Sequence, residues 1–138
     1  MIFNSSFNPI KKLLIQKINT YLLESLDLQN IEYIVDIPEH QVHGDISTNV
    51  ALVLAKVLKK DPLDLSSRIL NFLNKDVSFT NYFKRIDIVK PGFINFFVDS
   101  NIFQNFVNTF FLQIHASLDI LKDKVFLIEH TSPNPNKA

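Results

Sequence analysis

The sequence predicts an α+β domain in which about four helices pack on a small antiparallel sheet, followed by the start of another unit. Three observations carry this. Apolar residues recur at helical spacing in several separate stretches, the period switches from 3.6 to 2 between Phe83 and Val98, and the helices and strands are segregated in order, not strictly alternating. With 138 residues, 46% of them hydrophobic, and no cysteine, the chain is long enough to close a core without disulfides or cysteine-ligated zinc.

Asn8-Pro9 supplies an N-cap followed by a proline at the first helical position. Ile10, Leu13, Leu14, Ile18, Tyr21 and Leu22 then form one apolar stripe, with Lys11, Lys12 and Gln16 on the other side. Ile31 to Ile37 is β-branched, partly alternating, and ends at Pro38, which predicts a short strand. A polar HQVHGD loop runs next into the apolar segment Val50 to Leu58. Gly44 suits the bend there, and Asp45 is placed to cap the helix that follows, whose Ala51, Leu54, Ala55 and Leu58 face predicts a central position. Asp61-Pro62, with Asp64 at the third helical position, opens a helix to about Leu73.

Arg85 to Val89 alternates, Pro91-Gly92 interrupts, and Phe93 to Val98 resumes, which is the pattern of an antiparallel hairpin. From about Ser100, Ile102, Phe103, Phe106, Val107, Phe110, Phe111 and Ile114 make an amphipathic stripe expected to pack on the sheet. Residues 1–118 are therefore expected to form one domain. Residues 119–138 read as a polar linker, a continuous apolar strand at Val125-Phe126-Leu127-Ile128, and a proline- and asparagine-rich loop. A polar loop at the carboxyl end of a buried strand is where α/β enzymes hold ligands.

The net charge is zero, from 14 basic and 14 acidic residues, and excludes a strongly basic nucleic-acid binder or an acidic solvating tail. The neutrality is a cancellation. Residues 26–50 hold Asp27, Glu32, Asp36, Glu39 and Asp45 with no lysine or arginine, whereas residues 51–75 gather Lys56, Lys59, Lys60, Arg68 and Lys75. No secretory signal pattern opens the chain, and no stretch approaches the roughly 18 apolar residues of a membrane helix, so the reading is cytoplasmic, with no membrane partner.

Chemistry-bearing residues are few. His40 and His43 have a pair spacing but no third ligand, so no metal site is expected. With two glycines there is no phosphate-binding glycine loop, and no catalytic residue is expected in the chain itself. The Pro91-Gly92-Phe93-Ile94-Asn95 turn puts an aromatic ring and an amide at a strand start, the means by which an unpaired base is stacked and hydrogen-bonded; the alternative is a hairpin turn with Phe93 packed inward. In the segment Glu129 to Lys137, a carboxylate suits a cationic group and a lysine suits phosphate.

Three motifs, in order, resemble one family. Ile128-Glu129-His130-Thr131-Ser132-Pro133-Asn134-Pro135-Asn136-Lys137 is similar to the opening of the catalytic domain of arginyl-tRNA synthetases, class I aminoacyl-tRNA synthetases in which this stretch runs into the HIGH signature. Gly44-Asp45-Ile46-Ser47-Thr48-Asn49-Val50-Ala51 and Pro91-Gly92-Phe93-Ile94-Asn95-Phe96-Phe97 resemble the two recurring motifs of that family's N-terminal additional domain.

The resemblance implies a tRNA-binding additional domain followed by the first strand and loop of a Rossmann-type catalytic domain. It implies that Phe93 and Asn95, with Lys90 beside them, meet D-loop bases of tRNA(Arg). It also implies that Glu129 and Asn134 hold L-arginine and that Lys137 lies near the phosphates of ATP, with Mg expected alongside. The reaction implied for the parent enzyme is arginine plus ATP giving arginyl-adenylate, followed by transfer to the tRNA. The chain alone is expected to be a monomer that neither holds a cofactor nor aminoacylates. Rival readings are a stand-alone RNA-binding module and a protein-interaction domain that uses the Phe-rich helix.

Overall fold

The computed structural model describes residues 8–120, which hold five α-helices, one 3-10 turn and four strands. In chain order these are α1 (Asn8–Leu26), β1 (Val35–Asp36), the 3-10 turn Gln41–His43, β2 (Ile46–Thr48), α2 (Val50–Leu58), α3 (Pro62–Leu73), α4 (Val77–Thr80), β3 (Phe83–Val89), β4 (Phe93–Val98) and α5 (Ser100–Ile120). The strands form one antiparallel sheet in the order β1-β2-β4-β3. The chain divides into two compact units, Met1–Phe103 and Gln104–Ala138. The Rossmann-type strand expected at Val125 to Ile128 lies outside the described residues.

One core holds the first unit together. From the helices come Leu14, Ile18 and Leu22 of α1, Val50, Ala51 and Leu54 of α2, and Leu65, Ile69 and Leu73 of α3; from the sheet come Val35, Ile46, Ile94, Phe96 and Val98. The expected central position of α2 is met, since Val50, Ala51 and Leu54 are fully buried. Phe83 joins the layers, its ring centroid 5.2 Å from that of Phe79 and 5.1 Å from that of Phe96, in tilted contacts favoured by aromatic quadrupoles.

The hairpin and α3 form as the sequence dictates. Asp61 caps α3 by accepting from the Asp64 N–H at 2.8 Å. Four expectations need correction. The strand expected over Ile31 to Ile37 shrinks to Val35–Asp36, because Ile34 and Ile37 are exposed and the preceding residues are held by side chains: Asn49 Oδ1 accepts from Ile34 N at 2.8 Å, and Thr48 Oγ1 donates to Ile34 O at 2.8 Å. Asp45 does not cap α2. A strand, β2, intervenes, Asn49 stands at the cap position, and the Asp45 carboxylate is committed to the end of β4. A fifth helix, the single turn α4, forms where Asp76 accepts from the Phe79 N–H at 3.2 Å. Within α5, Phe111 is 56% exposed and Ile114 is exposed as well, so the apolar stripe is not buried along its whole length.

Candidate nucleic-acid interface

The site begins with the alternation of β4. Ile94, Phe96 and Val98 are buried in the core, so Phe93, Asn95 and Phe97 belong to the opposite face of the sheet. In the ladder Asn95 stands beside Ser47 of β2 and Asp87 of β3, while Phe93 pairs with Val89. Cross-strand partners share a face, so a strand register alone assembles ring, amide and hydroxyl together.

The turn that delivers Phe93 is clamped to α3. Gly92 N–H donates to Val89 O at 2.9 Å, and Ser66 Oγ, buried, lies 3.0 Å from Gly92 O and 2.8 Å from Pro62 O. The approach is too close for a side chain: a Cβ on Gly92 would sit 2.8 Å from Pro62 Cβ and 3.2 Å from Leu52 Cδ2. The Lys90–Pro91 peptide within this turn is cis.

These residues open onto a cleft of about 320 Å³ lined by Pro38, His43, Ser47, Val89, Lys90, Phe93 and Asn95. The volume sits near the lower end of ligand clefts, roughly 300–1,000 Å³. Phe93 is 38% exposed, which overturns the alternative of an inward-packed ring. Asn95 is 3% exposed, with its Oδ1 accepting from Ser47 Oγ at 2.7 Å. Lys90 is exposed at the rim. An aromatic face, an amide edge and an ammonium group can stack a base, hydrogen-bond its edge and meet a phosphate. A larger open groove along α1, lined by Lys12, Ile15, Gln16, Asn19, Thr20 and Leu23, has all its residues on one helix and no aromatic ring.

Lys90, Phe93 and Asn95, singled out from the sequence, are thus brought together. Pro38, His43 and Ser47 were not read as cleft residues: Ser47 is brought there by a register that pairs it with Asn95, 48 positions away, and Pro38 and His43 come from the segment before β2. Glu129, Asn134 and Lys137 lie outside the described residues. No group of three or more metal-ligating side chains occurs among the described residues, and no helix among them is long and apolar enough to cross a membrane. His40 and His43 meet as an edge-on ring pair, with centroids 6.2 Å apart.

Fold and cleft define a small α+β domain whose sheet face, opposite the helical core, carries a ring-and-amide cleft. The chain belongs to the family described as "Arginyl tRNA synthetase N terminal domain", whose profile matches residues 8–98. Among similar proteins, an arginine–tRNA ligase of Listeria welshimeri is 34% identical over 133 residues, covering 93% of this chain and 23% of the relative. The Thermotoga maritima arginine–tRNA ligase is 46% identical over 79 residues, 57% of this chain and 14% of the relative. That of Shewanella frigidimarina is 33% identical over 100 residues, 72% and 16% respectively. The chain therefore spans about a quarter or less of the length of these relatives.

Proposed function

We propose that this chain is the tRNA-binding N-terminal part of an arginine–tRNA ligase, and that its cleft takes an unpaired D-loop base of tRNA(Arg). Phe93 stacks on the base, Asn95 hydrogen-bonds its edge, and Lys90 meets a neighbouring phosphate. The observation that carries the reading is the convergence of these three side chains on one small cleft, with the Phe93 ring partly exposed on the sheet face away from the core.

Residues 1–118 supply this contact, and residues 119–138 open a Rossmann-type catalytic domain in which Glu129 and Asn134 hold arginine and Lys137 approaches the phosphates of ATP, with Mg as the expected counter-ion. Arginylation with ATP is the activity of the parent enzyme, a cytoplasmic monomer. A carboxylate for a guanidinium or ammonium group and a lysine for phosphate are the chemical grounds.

Binding of an arginine tRNA transcript to the chain, at low ionic strength, tests the reading. Alanine at Phe93 removes a stacking platform worth about 1–3 kcal/mol per base. The combined Phe93→Ala and Asn95→Ala chain is expected to lose most of its affinity. Unaltered affinity would overturn the assignment.

A further inference from the structure

The sheet face that carries the cleft continues along β4. Phe97 lies on it with Phe93 and Asn95, four residues beyond Phe93 and therefore about 13 Å further along the strand. Its ring is partly exposed and has the Arg85 guanidinium over it, 3.9 Å from the centroid. The strand register makes this pair, since Arg85 stands opposite Phe97 as Asp87 does opposite Asn95.

Arg85 is supported on two sides and open on a third. The Phe97 ring lies beneath its guanidinium, and Asp87 Oδ2 takes its Nε at 3.0 Å. Neither terminal NH2 group donates a hydrogen bond to a described residue, and the side chain is 58% exposed. The other arginine of the chain, Arg68, is instead paired with Asp64 one turn away on α3. The edge strand is irregular at the same point. Lys84 and Arg85 are fitted against the single step from Val98 to Phe97 on β4, a bulge that brings a second exposed cation beside the first. Lys84 has no ion pair among the described residues.

We propose that Arg85 is a second RNA contact: its outward NH2 groups bind a backbone phosphate of the tRNA strand a few nucleotides from the base in the cleft, with Phe97 and Asp87 positioning the guanidinium. This rests on the RNA-binding reading above. A planar fork presented to solvent matches two phosphate oxygens, and cations beside aromatic rings on the open face of a four-stranded sheet are the means by which single-stranded RNA is tracked. The competing account is that Arg85 only guards an edge strand, in which case its charge bears on self-association and not on RNA.

The test measures binding of the full chain to an arginine tRNA transcript across a range of salt concentrations. Arg85→Ala is expected to weaken binding about three- to tenfold at low salt and to flatten the slope of log affinity against log salt by about 0.7, the share of one phosphate. Adding Asp87→Asn, which leaves no orphaned carboxylate, is expected to keep that flattening. Arg85→Lys retains the charge without the fork and is expected to retain the slope while losing part of the affinity. Lys75→Ala removes the same charge from an exposed position just past α3 and is expected to leave slope and affinity unchanged. Arg85 is exposed, so its urea midpoint is expected to stay in place while binding falls. The proposal is overturned if Arg85→Ala keeps the full slope and affinity, if Asp87→Asn restores them, if Arg85→Lys loses the slope as alanine does, or if Lys75→Ala flattens it equally. Weakened binding by Arg85→Ala beside unaltered binding by the combined Phe93→Ala and Asn95→Ala chain sinks the base cleft and keeps the phosphate site; the reverse pattern keeps the cleft and removes Arg85.

Discussion

Asp45 and Val98 are joined by a hydrogen bond from the Val98 backbone N–H to the Asp45 carboxylate, 2.8 Å long, that closes a loop of 53 residues. The Asp45 N–H donates in turn to Phe96 O at 2.9 Å, so the approach to β2 is fastened to the end of β4. Gly44 makes the approach possible. Its φ of +90° and ψ of −174° belong to a region essentially reserved for glycine, and a Cβ there would lie 2.8 Å from Phe96 O. Asp45→Ala is expected to destabilise the chain by about 1–3 kcal/mol through the orphaned N–H. Gly44→Ala is expected to cost at least about 1–3 kcal/mol in backbone strain, with the steric clash added. Urea unfolding reads both, as a lower midpoint at unchanged slope.

This contact also shows where sequence reasoning stops. A local rule sees an aspartate before an apolar run and assigns a helix cap; at Asp61 that rule is right, and at Asp45 it fails because the partner is 53 residues away. The hairpin and the α2 and α3 faces were legible because their signals are periodic and local. β2 was hidden because three residues cannot show a period of 2. The ring, amide and lysine of the cleft were legible in one turn motif, whereas the wall that Ser47 and His43 add depends on strand order.

Phe93 and Phe96, three residues apart on one strand, are expected to behave oppositely. Phe96 is fully buried, and its replacement by alanine should cost roughly 3–5 kcal/mol of stability. Phe93 is 38% exposed at the cleft, and its replacement should lose RNA binding at a much smaller cost in stability. Thermal unfolding of the two variants, beside tRNA titrations, makes the comparison.

Tyr33 is expected to ionise late. Burial pushes its phenol up to about 12, and its hydroxyl donates to Asn19 Oδ1 at 2.7 Å. The folded state thus favours the neutral phenol. Its contribution to stability is complete below the unfolded value near pH 10 and is lost as the pH rises through about 12. Of the three tyrosines, Tyr33→Phe should remove the highest-pH phase of the ultraviolet absorbance titration. A titration unchanged by that substitution would show that another tyrosine is the late one.

Asp76 works in the opposite direction. The Lys17 ammonium, the Ser78 hydroxyl and the Phe79 N–H all favour its charged form and hold its carboxyl well below the usual range. A depressed folded value means that the stabilisation is present above the unfolded value near pH 4 and drains away as the pH falls below it. Asp76→Asn is expected to lower stability at neutral pH and to flatten the acid limb of the stability curve. Urea midpoints between pH 2 and 7 should therefore converge for the two chains at the acid end.

Salt should separate the roles of Lys90 and Phe93 in the cleft. Exposed Lys90 is the one lysine or arginine among the cleft residues, and Asp36, Glu39 and Asp45 lie in the adjoining acidic segment, so no broad positive field gathers RNA there. A chain of zero net charge that neutralises few phosphates releases few counterions, and its affinity should fall only gently with salt. Each phosphate contact on single-stranded RNA contributes about 0.7 to the slope of log affinity against log salt. Lys90→Ala should therefore flatten that slope by about 0.7, whereas Phe93→Ala should lower affinity equally at every salt concentration and leave the slope intact. Equal slopes in the unsubstituted and Lys90→Ala chains would remove Lys90 from the phosphate contact while leaving the stacking role of Phe93 in place.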